Sequence, residues 1–230
     1  MPVAPPPEPP RASPGDTRDP AYSQRLADLQ GARWKRWLDV QRPYRQHLWR
    51  VCRGRVLEVG CGIGRNLDHL RRGGFDALGL DHNAEAVALC RARGLSAFTP
   101  QEFGDRGGDH GGDGVGPGGP VPAPPASAGA FGTLLLSHVA EHLLPDEVSV
   151  LLDRHRHWLE PGARLVLITP QEAGQVSDPT HRSFVDFALA RRVAEAAGFA
   201  VEQQYSFPLP RWAGRVFKYN EFVTLATRRV

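Results

Sequence analysis

The sequence predicts an α/β domain: a mainly parallel sheet with helices on both faces. Short apolar runs alternate with helix-like stretches over most of the chain. The first of these runs ends in a string of glycines, as a strand feeding a tight turn and a helix would. A length of 230 residues suits one such domain with a sizeable core. Strands buried on both faces read as continuous apolar runs, and that is the pattern here.

The elements follow in order. Residues 1–20, rich in proline, bury almost nothing and are expected to form a disordered tail. Over 21–50, Leu26, Leu29, Trp34, Trp37 and Leu38 fall near helical spacing, with Pro43 expected to break or kink the helix. Residues 55–59 (RVLEV) form the first strand, 65–72 a helix, 77–80 (ALGL) the second strand and 84–93 its helix. A weak third strand is expected at 95–98 and a fourth at 131–136 (FGTLLL). Val148, Leu151, Leu152, Trp158 and Leu159 share one helical face, with Pro161-Gly162 as the stop. Residues 164–169 (RLVLIT) make a fifth strand, 184–197 a helix, and 200–205 and 221–227 two late strands. Between the third and fourth strands, 104–130 is Gly/Pro-rich, with too few apolar residues to pack, and is expected to be a disordered surface insertion. The domain is thus expected over 21–230, with 21–50 as a helical cap or as packing against the sheet edge.

Composition excludes several classes. A net charge of +3 is a small excess despite a pI near 9.0, and the basic residues are scattered, so nucleic acid is not favoured. Three cysteines, Cys52, Cys61 and Cys90, without C-x-x-C spacing fit neither a disulfide framework nor a Cys-rich zinc site, and point to the reducing cytoplasm. The opening residues have no apolar centre of the kind an export signal needs, and no apolar run reaches membrane-span length.

Chemistry in a doubly wound sheet lies beyond the carboxyl ends of the strands. There stands Glu58-Val59-Gly60-Cys61-Gly62-Ile63-Gly64, a strand end, a bare-backboned turn and a helix start. Glycine at alternate positions lets the backbone approach a ligand, and the helix start favours an anionic group. A dinucleotide fingerprint fails in both registers, because it needs glycine where Arg65 or Leu67 stands.

E-x-G-x-G-x-G resembles motif I of the class I S-adenosylmethionine-dependent methyltransferases. Gly79-Leu80-Asp81-His82-Asn83, Ser137-His138-Val139-Ala140-Glu141-His142-Leu143 and Leu159-Glu160-Pro161-Gly162-Ala163-Arg164-Leu165 are similar to that family's later motifs, in order and at strand ends. The resemblance runs from about residue 33 to the C-terminus, apart from the insertion. It implies a Rossmann-like sheet of seven strands, mostly parallel, with the final hairpin reversing one, and S-adenosylmethionine as cofactor. The implied cofactor-binding residues are Glu58, Gly60, Cys61, Gly62, Gly64, Asp81, His82, Thr99 and Ser137. Glu58 would hold the ammonium, the glycines would underlie the methionine part, and Asp81 would accept from the ribose diol. Asp81 also reads as a helix N-cap. Thr99 stands where many relatives carry an acid that reads adenine, which leaves backbone around 99–101 for that contact.

For transfer to a hydroxyl, a base must take a proton, and histidine suits neutral pH. His138 and His181 are the catalytic candidates, and Asp178 with His181 the acceptor-side pair; Glu141-His142 reads as capping and orienting. No metal is expected: His138 and His142 at i, i+4 lack a third ligand at recognisable spacing, and Asp105, Asp109, His110 and Asp113 lie among glycines that preorganise nothing. Phe207, Trp212, Phe217, Tyr219 and Phe222 read as core rather than acceptor pocket. With no N/D-P-P-Y/F and no Pro-Cys after the fourth strand, the expected acceptor is a small molecule, lipid or glycan, methylated on oxygen or nitrogen. RNA or protein methylation and cofactor binding without catalysis are the alternatives.

Overall fold

The computed structural model describes residues 42–106, 115–116, 119–120 and 129–229. The expected Pro-rich tail, Trp34, Trp37 and most of the 107–128 stretch lie outside the described residues.

Helix α1 is Arg42–Val51, followed by β1 (Val56–Val59), α2 (Arg65–Arg72), β2 (Ala77–Leu80), α3 (Ala84–Ala92), β3 (Ala97–Phe98) and α4 (Pro100–Arg106). After the interruption come β4 (Phe131–Ser137), a 3-10 turn at Ala140–His142, α5 (Pro145–Arg156), β5 (Leu159–Pro170) and the short α6 (Glu172–Gln175). The chain ends in α7 (Phe187–Ala196), β6 (Phe199–Phe207), a 3-10 turn at Arg211–Arg215 and β7 (Glu221–Arg228).

The seven strands form one sheet in the order β3-β2-β1-β4-β5-β7-β6. Pairings from β3 through β5 are parallel; β7 runs antiparallel to both β5 and β6. The expected seven-stranded, mostly parallel sheet with one reversed strand is therefore the architecture found. Strand order reverses between β1 and β4, and the crevice above that point receives the ligands of such sheets.

Alternation along the strands sends side chains to two faces. Leu57, Leu134, Leu136, Leu165 and Leu167 pack with Val148 and Leu152 of α5 and Ala190 and Val193 of α7. Val56, Leu135, Val166, Ile168 and Val223 pack with Leu48 and Val51 of α1 and Leu70 of α2. Phe98, Phe131 and Phe199 are fully buried, each contributing on the order of 2–3 kcal/mol relative to exposure.

Three local expectations change. Pro43 does not break α1; it stands in the first turn, where its missing N–H costs no hydrogen bond. Pro161-Gly162 does not stop a helix. Helix α5 ends at Arg156, and Pro161-Gly162 sits inside β5 at a register shift where Phe131 pairs Leu159 but Thr133 pairs Arg164. Gly162 takes φ 72°, so the bulge there uses glycine's freedom. The expected insertion also begins too early, since Gly104 belongs to α4, and within it Val115–Gly116 pairs antiparallel with Gly119–Pro120.

Helix α1 packs on the sheet and α2, while residues 21–41 of the expected helical cap lie outside the described residues. The His47 ring stacks on Phe207 at 4.1 Å, and the Trp49 indole N–H donates to the His69 carbonyl at 2.7 Å. Among the described residues, no helix is long and apolar enough to cross a membrane.

Candidate active site

At the tip of β1 the chain turns through Gly60 (φ 77°), Gly62 (φ 52°) and Gly64 (φ 78°), all in left-handed backbone. The Gly60 and Cys61 N–H groups both donate to the Leu80 carbonyl, at 2.8 and 3.0 Å, which ties the turn to β2. A Cβ on Gly60 would lie 2.3 Å from Val139 Cγ2, so the segment after β4 presses directly on the turn. A Cβ on Gly62 would meet nothing within 4 Å. Bare backbone facing open space is what a close ligand needs. Cys61 itself turns inward, packed with Leu67, Val87 and Cys90, so of this residue only the backbone lines the turn.

Glu58 is 1% exposed on β1, and α2 supplies its partner: the Asn66 side-chain amide donates to Oε1 at 2.7 Å. Its other oxygen, Oε2, is buried with no hydrogen-bond partner. Burial, opposed by the Asn66 hydrogen bond and reinforced by the Asp81 charge, raises this carboxyl from 4.5 to about 8. An orphaned acid of this kind costs stability unless a cationic donor arrives.

Asp81 follows β2 directly and is buried. Its Oδ2 accepts from the Gly62 N–H at 2.7 Å and its Oδ1 from the Asn83 N–H at 2.9 Å. Each oxygen keeps a further lone pair for a diol. The N-cap of α3 is Asn83, whose Oδ1 accepts from the Glu85 and Ala86 N–H groups, so the capping task that Asp81 also suggested belongs to its neighbour. His82 beside it is exposed. Thr99 has a local role. It begins α4 as half of a capping box: its N–H donates to Glu102 Oε2, its hydroxyl accepts from the Glu102 N–H, and its carbonyl takes the Phe103 N–H. Those contacts fix the start of α4 beside the end of β3.

On the acceptor side, β4 ends at the half-buried Ser137 and then His138 takes φ 58°, the one positive φ outside glycine among the described residues. Strain of this kind gathers where function fixes the backbone. Its Nδ1 lies 3.1 Å from Glu141 Oε1 and its Nε2 2.9 Å from Glu221 Oε1. Burial alone would lower its pKa, but the two carboxylates outweigh that and raise it to about 10. Flanked by a carboxylate at each nitrogen, the ring is held with both nitrogens as donors, which favours the imidazolium.

The D-x-T-H run after β5 folds as an Asx turn, with Asp178 Oδ1 accepting from both the Thr180 N–H (2.9 Å) and hydroxyl (2.7 Å). Those hydrogen bonds outweigh burial and lower the Asp178 pKa, so this carboxylate serves the turn. The turn carries His181 against His142, ring centroids 4.9 Å apart. The Arg182 and Ser183 N–H groups donate to the Glu141 carbonyl at 2.7 and 3.1 Å, locking the turn onto the 3-10 segment. Side-chain donor atoms of Glu141, His142 and His181 all lie within 4.8 Å of one another.

Among the aromatics expected in the core, Phe222 is buried, whereas Trp212 and Tyr219 are 70% and 51% exposed near the β6–β7 connection. Three participants were missed. Asn66 and Glu102 had local signals, as the first helical turn beyond the glycines and as the fourth residue of T-P-Q-E. Glu221 had none, since only the sheet topology brings it 83 residues back to His138.

A family model described as a methyltransferase domain matches residues 33–204. With that match across the glycine turn, the sheet and the acceptor side, the chain belongs to the class I S-adenosylmethionine-dependent methyltransferases. Among solved structures, a SAM-dependent methyltransferase from Archaeoglobus fulgidus is similar at TM-score 0.62 and 18% identity, covering 90% of this chain and 99% of that one. The putative methyltransferase of Haloferax volcanii, solved with its activator Trm112, gives TM-score 0.62 at 17% identity over 91% and 95% of the two chains. The 1,6-didemethyltoxoflavin-N1-methyltransferase of Burkholderia thailandensis, solved with S-adenosylhomocysteine, gives TM-score 0.54 at 18% identity over 97% and 93%. The search of curated proteins found no match.

Proposed function

We propose that this methyltransferase acts in the cytoplasm on a small-molecule, lipid or glycan acceptor, at oxygen or nitrogen, with the turn after β1 and the end of β2 holding the cofactor. One observation carries the cofactor placement: the fully buried Glu58 carboxyl with an unpartnered Oε2, beside a glycine whose missing Cβ faces open space. That is a carboxyl that can ionise against a cation, next to backbone open to close contact, and the ammonium and chain of a methionine moiety supply both.

When bound, S-adenosylmethionine supplies a methyl group already activated by its positive sulfur. Glu58 holds the ammonium, Asp81 accepts from the ribose hydroxyls while pinning Gly62, and exposed His82 flanks the nucleoside. The protein's remaining task is alignment and exclusion of water. Ser137 and His138 fix the end of β4, with His138 held by two carboxylates as a positioning residue. Asp178 shapes the turn that presents His181 to the acceptor.

The support for a compact acceptor lies in the sequence, which has neither of the base-gripping motifs used on DNA nor a concentrated basic face. The test is turnover of methyl-labelled cofactor against fractionated metabolite, lipid, glycan, RNA and protein extracts. Label in a small-molecule, lipid or glycan fraction supports the reading; label confined to RNA or protein overturns the acceptor class. Cofactor binding with no labelled product from any fraction leaves a binding protein.

A further inference from the structure

We infer that Glu141, His142 and His181 form a site for a zinc-class divalent cation (Zn2+ or Co2+) on the acceptor side of the cleft. Two imidazoles and a carboxylate are the protein donor set of a catalytic rather than a structural metal centre.

The hydrogen bonds fix which nitrogens are free. His181 Nδ1 lies 2.9 Å from the Gln175 carbonyl, which can only accept, so Nδ1 carries the proton and Nε2 keeps its lone pair. His142 Nδ1 lies 3.3 Å from the Thr180 carbonyl and 3.1 Å from its hydroxyl oxygen. That hydroxyl gives its own proton to Asp178 Oδ1, so it too accepts from His142, whose Nε2 is left free. Histidines oriented through Nδ1 by backbone oxygens are the usual outer support of a metal ligand. Thr180 and Asp178 thereby support His142 in the same way.

The second, independent observation is Glu141. It is 0% exposed, its Oε1 is engaged by His138, and its Oε2 has no partner. A buried carboxylate oxygen without a donor is costly, and a cation between it and the two imidazoles removes that cost. One donor atom from each residue already lies within 4.8 Å of the others, and these must close by roughly 1.4 Å at most to reach the spacing of ligands sharing one tetrahedral Zn2+.

The placement deepens the methyl-transfer reading, on which only its use depends. Val139, two residues before Glu141, touches the glycine turn, so the cation would stand near the proposed cofactor site. It selects an alcohol or phenol as the acceptor: coordination lowers the hydroxyl's pKa, the O–H bond breaks and the proton passes to solvent.

The test uses the tag-free full chain, stripped with chelator. Co2+ is titrated by its visible d–d bands and Zn2+ by calorimetry, with S-adenosylhomocysteine affinity measured in parallel. Expected are the bands of a low-coordinate Co2+ site, a Kd at least about 100-fold weaker in His142→Ala and His181→Ala, and about 10-fold weaker in Thr180→Val. S-adenosylhomocysteine affinity should stay within about threefold. If a histidine variant misfolds, Thr180→Val decides. No Co2+ bands in the parent chain, or variants that titrate like it, overturn the site and leave methyl transfer standing. Metal binding without S-adenosylhomocysteine binding overturns the cofactor reading and leaves the cation site.

Discussion

Two buried carboxyls at neighbouring strand ends differ in their partners. Asp81 accepts from two backbone N–H groups. Replacing it with alanine removes a ribose acceptor and frees the Gly62 N–H, so cofactor affinity should fall by about 1–3 kcal/mol in calorimetry; unchanged affinity would mean Asp81 only ties the turn. Glu58 has one donor and sits near the Asp81 charge, so its folded carboxyl, raised from 4.5 to about 8, holds its proton across the neutral range. Between those values the folded chain binds more protons than the unfolded one, and stability of the cofactor-free protein must fall as pH rises through that window. Urea denaturation from about pH 5 to about pH 8 should show a loss of a few kcal/mol, absent in Glu58→Gln. Cofactor binding should run the other way. An ammonium needs the ionised acid, so below about pH 8 binding must expel a proton and affinity should drop about tenfold per pH unit. Calorimetry in buffers of different ionisation heat reads that proton directly, and a null result would place the ammonium elsewhere.

At the scale of the elements, the strand–turn–helix unit separates packing glycines from ligand glycines. A Cβ on Gly79 in β2 would lie 2.6 Å from both Cys61 Sγ and Leu67 Cδ1, inside packed core. Gly79→Ala should therefore cost about 1–3 kcal/mol of folding stability by denaturation. Gly62→Ala meets no protein atom, so it should cost only the roughly 1–2 kcal/mol of a left-handed alanine, yet weaken cofactor binding by more than about tenfold. Equal effects of the two changes on binding would show that the turn does not touch the ligand. The same unit explains what the sequence revealed. The strand, glycine turn and helix start at 56–72 were legible because a left-handed turn at a strand tip demands glycine at fixed spacing along one segment. Pro43 and Pro161-Gly162 misled because proline and glycine signal a break without saying whether it is a helix start, a stop or a bulge. The Glu141, His142 and His181 cluster was hidden because its third member arrives from another strand end, at a separation that no local pattern records.

For the whole molecule, the sheet order decides which residues meet, and the interruption between α4 and β4 does not enter that order. Helix α4 is secured at its start by the Thr99–Glu102 box and by Arg91, whose Nη2 lies 2.7 Å from Glu102 Oε2. On the other side, the Gly129 and Ala130 N–H groups donate to the His157 and Trp158 carbonyls at 3.1 and 2.9 Å, anchoring the approach to β4. Both anchors lie outside residues 107–128, so the excised segment must stop short of Gly104 and Ala130. Replacing 107–128 with a short Gly-Ser linker shortens a closed loop, and loop entropy changes only as the logarithm of length, about 0.6 kcal/mol per halving. The thermal midpoint should shift by no more than about 5 °C, and S-adenosylhomocysteine affinity should stay within about threefold. Extending the cut through residues 100–130 should instead remove α4 with buried Phe103, a side chain packed against Trp158 at 4.7 Å between ring centroids, and cost several-fold more stability. If the shorter deletion alone abolished cofactor binding, the interruption would be part of the site rather than an excursion from it.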